Sequence, residues 1–114
     1  MAYDEDLTDR FRTALAGRGP FSEKRMMGGA CFLVNGNMIG GADRSKAGER
    51  RFMFRVGKEN AAKADNLPGA EPMRQGGRTM GGMFFVSEAE CNDETMAAWL
   101  DLALDFASGL PPKG

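Results

Sequence analysis

Residues 23–38, from Glu23 to Met38, constrain the fold of this chain more than any other stretch. An apolar run, Ala30-Cys31-Phe32-Leu33-Val34, meets a second strand-like segment across Asn35-Gly36. Asn-Gly accepts positive φ at both central positions of a type I′ turn, whose twist matches that of the flanking strands. A tight antiparallel hairpin is therefore expected here, approached by the charged Glu23-Lys24-Arg25 and the double glycine Gly28-Gly29.

Helical periodicity brackets this hairpin. From about Asp4 to Ala16, Leu7, Phe11, Ala14 and Leu15 share one helical face. Asp4 suits the N-cap, and Glu5 and Asp6 suit the positive end of the helix dipole. From about Asp93 to Ser108, Met96, Trp99, Ala103 and Phe106 form a second apolar stripe, with Asn92 or Asp93 as cap and Gly109 and Pro111-Pro112 as the stop. Between them the pattern predicts strands over 29–34, 37–42 and 51–56, a short helix over 58–64, and strands over 71–75 and 83–87. The resulting order is α-β-β-β-α-β-β-α. Hairpin connections dominate it, so the expected class is α+β, two-layer, a largely antiparallel sheet with helices on one face.

At 114 residues the chain reads as one domain that can build a core without staples. No apolar run could span a bilayer, and the acidic N-terminus is unlike a secretory signal, so the expected location is cytoplasmic, with no membrane partner. There is no histidine, and the two cysteines, Cys31 and Cys91, are too few for a disulfide framework or a structural zinc site. The usual neutral-pH base is thus missing. The carboxylates at both helix starts are explained by capping, and no catalytic residue, metal ligand or cofactor site is assigned.

Two patterns bear on partners. Residues 24–78 carry eleven basic and five acidic side chains, flanked by acidic segments on both sides. The favoured reading is a basic sheet neutralised by acidic helices; an anion-binding face is the alternative. Secondly, Ala30 to Val34 and Met83-Phe84-Phe85-Val86 are apolar at every position rather than alternating. If helices cover one face of the sheet, apolar side chains remain on the other, joined by Met53 and by Met38 or Ile39. Such surface predicts a homodimer or a protein partner, the alternative being that the third helix or the tail folds over it.

Four fragments in order resemble the TfoX N-terminal domain family: the double-glycine hairpin start, Phe54-Arg55-Val56-Gly57, Pro72-Met73 with Gly77-Arg78-Thr79-Met80-Gly81-Gly82, and Trp99-Leu100 with Leu110-Pro111-Pro112-Lys113. The likeness runs from about Asp4 to Lys113, with Met27 where the family more often has an aromatic residue. It implies a fold similar to the secretion-chaperone-like α+β arrangement, and a non-enzymatic regulatory or adaptor module acting through protein contacts, transcription machinery among them. Full-length competence regulators of the family carry a further C-terminal domain; this chain stops at Gly114.

Candidate partner- or anion-binding residues are Lys24, Arg25, Gly28, Gly29, Arg55, Gly77 and Arg78. Lys24, Arg25 and Arg55 either converge at the edge of the sheet on an acidic group of a partner or are solvated strand ends with salt bridges to Glu23 or the acidic helices, the latter being the favoured reading. The segment Gly76 to Gly82 offers backbone N–H groups to an anion, or serves only as a flexible connection; it lacks the P-loop lysine and the dinucleotide glycine spacing. A nucleic-acid-binding module using Arg50, Arg51 and Arg55, and a phosphate or small-ligand module at Gly76 to Gly82, are the alternatives.

Overall fold

A computed structural model describes residues 3–26 and 28–112, apart from the side chain of Gln75; Met27 and Lys113 lie outside the described residues. The elements are α1 (Glu5–Leu15), β1 (Ser22–Met26), β2 (Gly29–Val34), β3 (Asn37–Arg44), β4 (Arg50–Arg55), a 3₁₀ turn (Lys58–Asn60) leading into α2 (Ala61–Ala64), β5 (Glu71–Gln75), β6 (Arg78–Ser87), a second 3₁₀ turn (Glu88–Glu90) and α3 (Asp93–Ser108). The α+β class and the expected order of elements are both present. One strand is added: the charged approach, β1, pairs with β2 as an edge strand.

All six strands join one open antiparallel sheet, in the order β1-β2-β3-β4-β6-β5. The Asn35-Gly36 turn closes β2 on β3 with φ of 53° and 81°, as a type I′ turn requires. Asp4 caps α1, its Oδ1 accepting the Leu7 N–H at 3.0 Å, and Asn92 caps α3 in the same way through Thr95 at 2.8 Å.

Both long helices lie on one face. Phe11 of α1 stacks on Phe32 at 4.5 Å and on Phe54 at 5.6 Å between centroids. Trp99 of α3 stacks on Phe54 at 5.2 Å, and its indole N–H points to the Pro68 carbonyl at 3.4 Å. Gly40 permits this close approach, since a Cβ there would lie 3.0 Å from Phe11 and 2.2 Å from the Met53 carbonyl oxygen. Fully burying each of these aromatics contributes roughly 1.5–3 kcal/mol before entropy is counted. A register shift after Phe32, which pairs with Gly40 while Leu33 pairs with Met38, leaves Ile39 as the extra residue on β3. That bulge turns Ile39 into the core, where it is fully buried, and leaves Met38 half-buried.

Beyond β4 the chain passes Gly57 (φ 82°), whose neighbour in space is Gly82 of β6 (φ 78°). The N–H groups of Val56 and Gly57 both donate to the Gly82 carbonyl, at 2.8 and 3.2 Å. A Cβ on Gly82 would sit 2.3 Å from the Gly57 carbonyl carbon, and one on Gly57 would sit 2.2 Å from the Phe106 ring. Only glycine allows this crossing, which anchors the end of β4 against α3.

Candidate functional site

With Phe52, Phe54, Phe84 and Val86 directed into the core, strand alternation sends Met53 and Phe85 to the opposite face. The register carries one continuous row across that face: Lys24, Cys31, Gly41, Met53, Phe85 and Glu71, from β1 to β5 in spatial order. It is basic at one edge, acidic at the other and apolar between. A parallel row holds Asp43 and Arg51, paired across β3 and β4.

No helix of the described residues packs on this face, so its side chains cover one another. Cys31 and Met53 are only 5% and 8% exposed, beneath a shallow groove of about 40 Å³ that Met26 and Met73 also line. Among the described residues, Met26 is the exposed large apolar side chain, at 42%. Arg51 lies with its guanidinium 3.8 Å from the Phe85 ring centroid while donating to Asp43 at 2.8 and 3.3 Å. That ion pair is 16% and 15% exposed, low for a sheet surface open to solvent. Desolvation, and then the Asp43 charge, push the Cys31 thiol above its usual pKa. A polarizable methionine surface over a buried thiol can bind by contact.

The expected binding residues are dispersed. Lys24 sits on the open face of β1. Arg25, on the same strand, faces the helical side, its guanidinium 3.4 Å from the Tyr3 ring centroid. Arg55 lies at the end of β4, three strands away, near Phe106 of α3 at 5.1 Å. At about 4.8 Å per strand the gap between β1 and β4 is roughly 14 Å, so the three cations do not converge. Gly28 (φ 80°) lies in the turn between β1 and β2, and Gly29 begins β2 facing Asp43. Gly76 and Gly77 (φ 60° and 79°) form a two-residue turn, after which Arg78 is already in β6, paired with Gln75. The strand begins five residues before the expected 83, because Arg78 and Thr79 find ladder partners on β5. The segment 76–82 is therefore mostly strand, not a loop with N–H groups aimed at a common point.

In the basic middle segment, Arg44, Arg50 and Arg51 are ion-paired within the chain. Arg44 and Arg50 reach Asp4 Oδ2 at 2.6 and 3.3 Å, and Arg50 also lies 3.6 Å from Glu88. On the helical side Arg10 bonds to Glu88, the Cys91 carbonyl and Asp93, at 3.1, 2.8 and 3.3 Å. It borders a cleft of about 450 Å³ between α1 and α3 whose floor includes Ala14, Met96 and Ala97.

Met26, Met73 and Glu71 complete the open face and were not singled out by sequence. Their signal is the pairing register, which brings Glu71 into line with Lys24. Among the described residues no group of three or more His, Cys, Asp or Glu side chains could hold a metal ion, and no helix is long and apolar enough to cross a membrane.

A family model for the TfoX N-terminal domain matches residues 13–107. Neither curated proteins nor solved structures gave a match. The chain belongs to the TfoX N-terminal domain family.

Proposed function

We propose that this chain is a non-enzymatic regulatory or adaptor module in transcription regulation, and that it works by protein–protein contact through the open face of its sheet. The observation that carries this reading is the row across that face. Its centre is Cys31, Met53 and Phe85, and its two edges are the opposite charges Lys24 and Glu71. A protein surface with an apolar centre and paired charges at its rim is the matching chemistry. Membership of the TfoX N-terminal domain family supports the regulatory setting.

The same geometry weakens the two alternatives. Arg50 and Arg51, two of the three arginines that a nucleic-acid face would use beside Arg55, are committed to Asp4, Glu88 and Asp43. In the glycine-rich segment, needed for a phosphate cradle, Arg78 and Thr79 pair with β5, and the Gly82 carbonyl accepts from Val56 and Gly57.

The test is affinity capture from the native host after nuclease treatment, with the wild-type chain beside Met26→Glu, which alters the exposed methionine of that face. The expected result is retention of polymerase or a transcription factor by the wild type and its loss with the variant. Capture that disappears on nuclease treatment would transfer the role to nucleic acid.

A further inference from the structure

We infer that the occupant of the open sheet face is a second copy of this chain, packed face to face about a two-fold axis running close to the strand direction. This rests on the reading of that face as a protein interface and names its partner. The argument begins with the sheet edges. β1 presents Glu23, Lys24 and Arg25, and β5 carries Pro72, so both edges bear the charges and proline that discourage strand addition. Association is thereby directed to the face.

Symmetry then selects the arrangement. A two-fold axis lying between the sheets, along the strands and between β3 and β4, exchanges β1 with β5, β2 with β6 and β3 with β4 of the other copy. Applied to the row Lys24–Cys31–Gly41–Met53–Phe85–Glu71, it sets Lys24 against Glu71 at both rims, while Cys31, Gly41 and Met53 between them are buried beneath their own neighbours. In the neighbouring row it sets Asp43 against Arg51. Each of these four charges meets its opposite.

An axis across the strands through the same row does the reverse, placing Lys24 on Lys24 and Glu71 on Glu71. Aligned sheet packings cross at about 30°, which puts the axis within about 15° of the strands and preserves the favourable pairing. Five strand spacings of about 4.8 Å and strand lengths of about 17–20 Å give a face of roughly 450 Å² in plan. Side-chain relief raises the accessible area toward the ~800 Å² per partner of a standard interface, so the dimer belongs at the weak, micromolar end.

Charge reversal at the rim tests this without disturbing the core, since Lys24 and Glu71 are both exposed. Sedimentation equilibrium at low salt over a wide concentration range is the readout, with circular dichroism confirming the fold. Lys24→Glu alone and Glu71→Lys alone are each expected to weaken the dimer roughly tenfold or more, because two symmetry-related pairs change sign. Combining both substitutions in one chain restores wild-type association. Mixing the two single variants gives a heterodimer tighter than either homodimer.

Single variants that dimerise like the wild type would overturn the axis, because an axis across the strands only exchanges one like-charge contact for another. A wild-type chain that stays monomeric at hundreds of micromolar would overturn the second copy as occupant. In that case, host-protein capture sensitive to Met26→Glu would leave the interface reading standing, and insensitivity would remove both.

Discussion

Replacing Asp4 separates helix capping from charge neutralisation at the place where α1 meets the sheet. Its carboxylate is 5% exposed and serves three partners: the Leu7 N–H at 3.0 Å through Oδ1, and Arg44 and Arg50 at 2.6 and 3.3 Å through Oδ2. Asp4→Ala removes all three. The cap is worth about 1 kcal/mol. The two guanidinium contacts, with arginine side chains 49% and 36% exposed, are screened and together add about 1 kcal/mol. The expected loss is therefore about 2 kcal/mol, or roughly 8 °C in Tm for a domain of this size.

Asp4→Asn keeps an oxygen for Leu7 and loses only the ionic part, about 1 kcal/mol. Urea denaturation at pH 7 reads both. The acid limb supplies a second check. Burial alone would raise the Asp4 pKa, but the Leu7 N–H, Arg44 and Arg50 outweigh it and hold the carboxyl below its ordinary value. A depressed folded-state pKa means that the stabilisation is complete well above the unfolded value of about 3.9 and is lost as pH falls through and below it. The wild-type advantage over Asp4→Asn should thus persist at pH 7 and close below about pH 4. Equal losses for the alanine and asparagine variants would refute the capping share. A gap independent of pH would refute the ionic share.

Two further outcomes follow from close contacts and from burial. Gly82→Ala, with its Cβ pressed against the Gly57 backbone at φ 78°, should cost more than about 2 kcal/mol in urea titration, while Gly81→Ala, meeting only the Lys58 side chain, should stay within about 1 kcal/mol. Similar effects at the two glycines would show that the β4–β6 crossing tolerates a side chain. Neither cysteine should react with iodoacetamide at pH 8 in the native chain, and both should react in denaturant. Cys31 is 5% exposed and Cys91 1% exposed, and desolvation pushes Cys91 up to about 11. Rapid native labelling of either would contradict the packing described for it.

Short-range physics made much of this fold legible. Helices α1 and α3 carry caps and apolar stripes within their own residues, and Asn35-Gly36 specifies its hairpin through backbone sterics alone. The strand β1 was not legible, because Ser22–Met26 is exposed at every position and has no apolar alternation; only its ladder with β2 makes it a strand. The start of β6 was hidden for a similar reason: Arg78 and the glycines that follow read as loop until β5 supplies partners. Likewise, Lys24, Arg25 and Arg55 were near one another in expectation and are separated by strand order and by the two faces of the sheet.

The sequence by itself determined the class, the order of elements, the family and the presence of surplus apolar strand residues, since propensity, periodicity and turn chemistry act over a few residues. Tertiary structure alone decided which face those residues occupy and what stands beside them. Register across five strand pairs depends on core packing and on the bulge at Ile39, and it is this long-range matching that aligns Lys24 with Glu71 at opposite ends of one row.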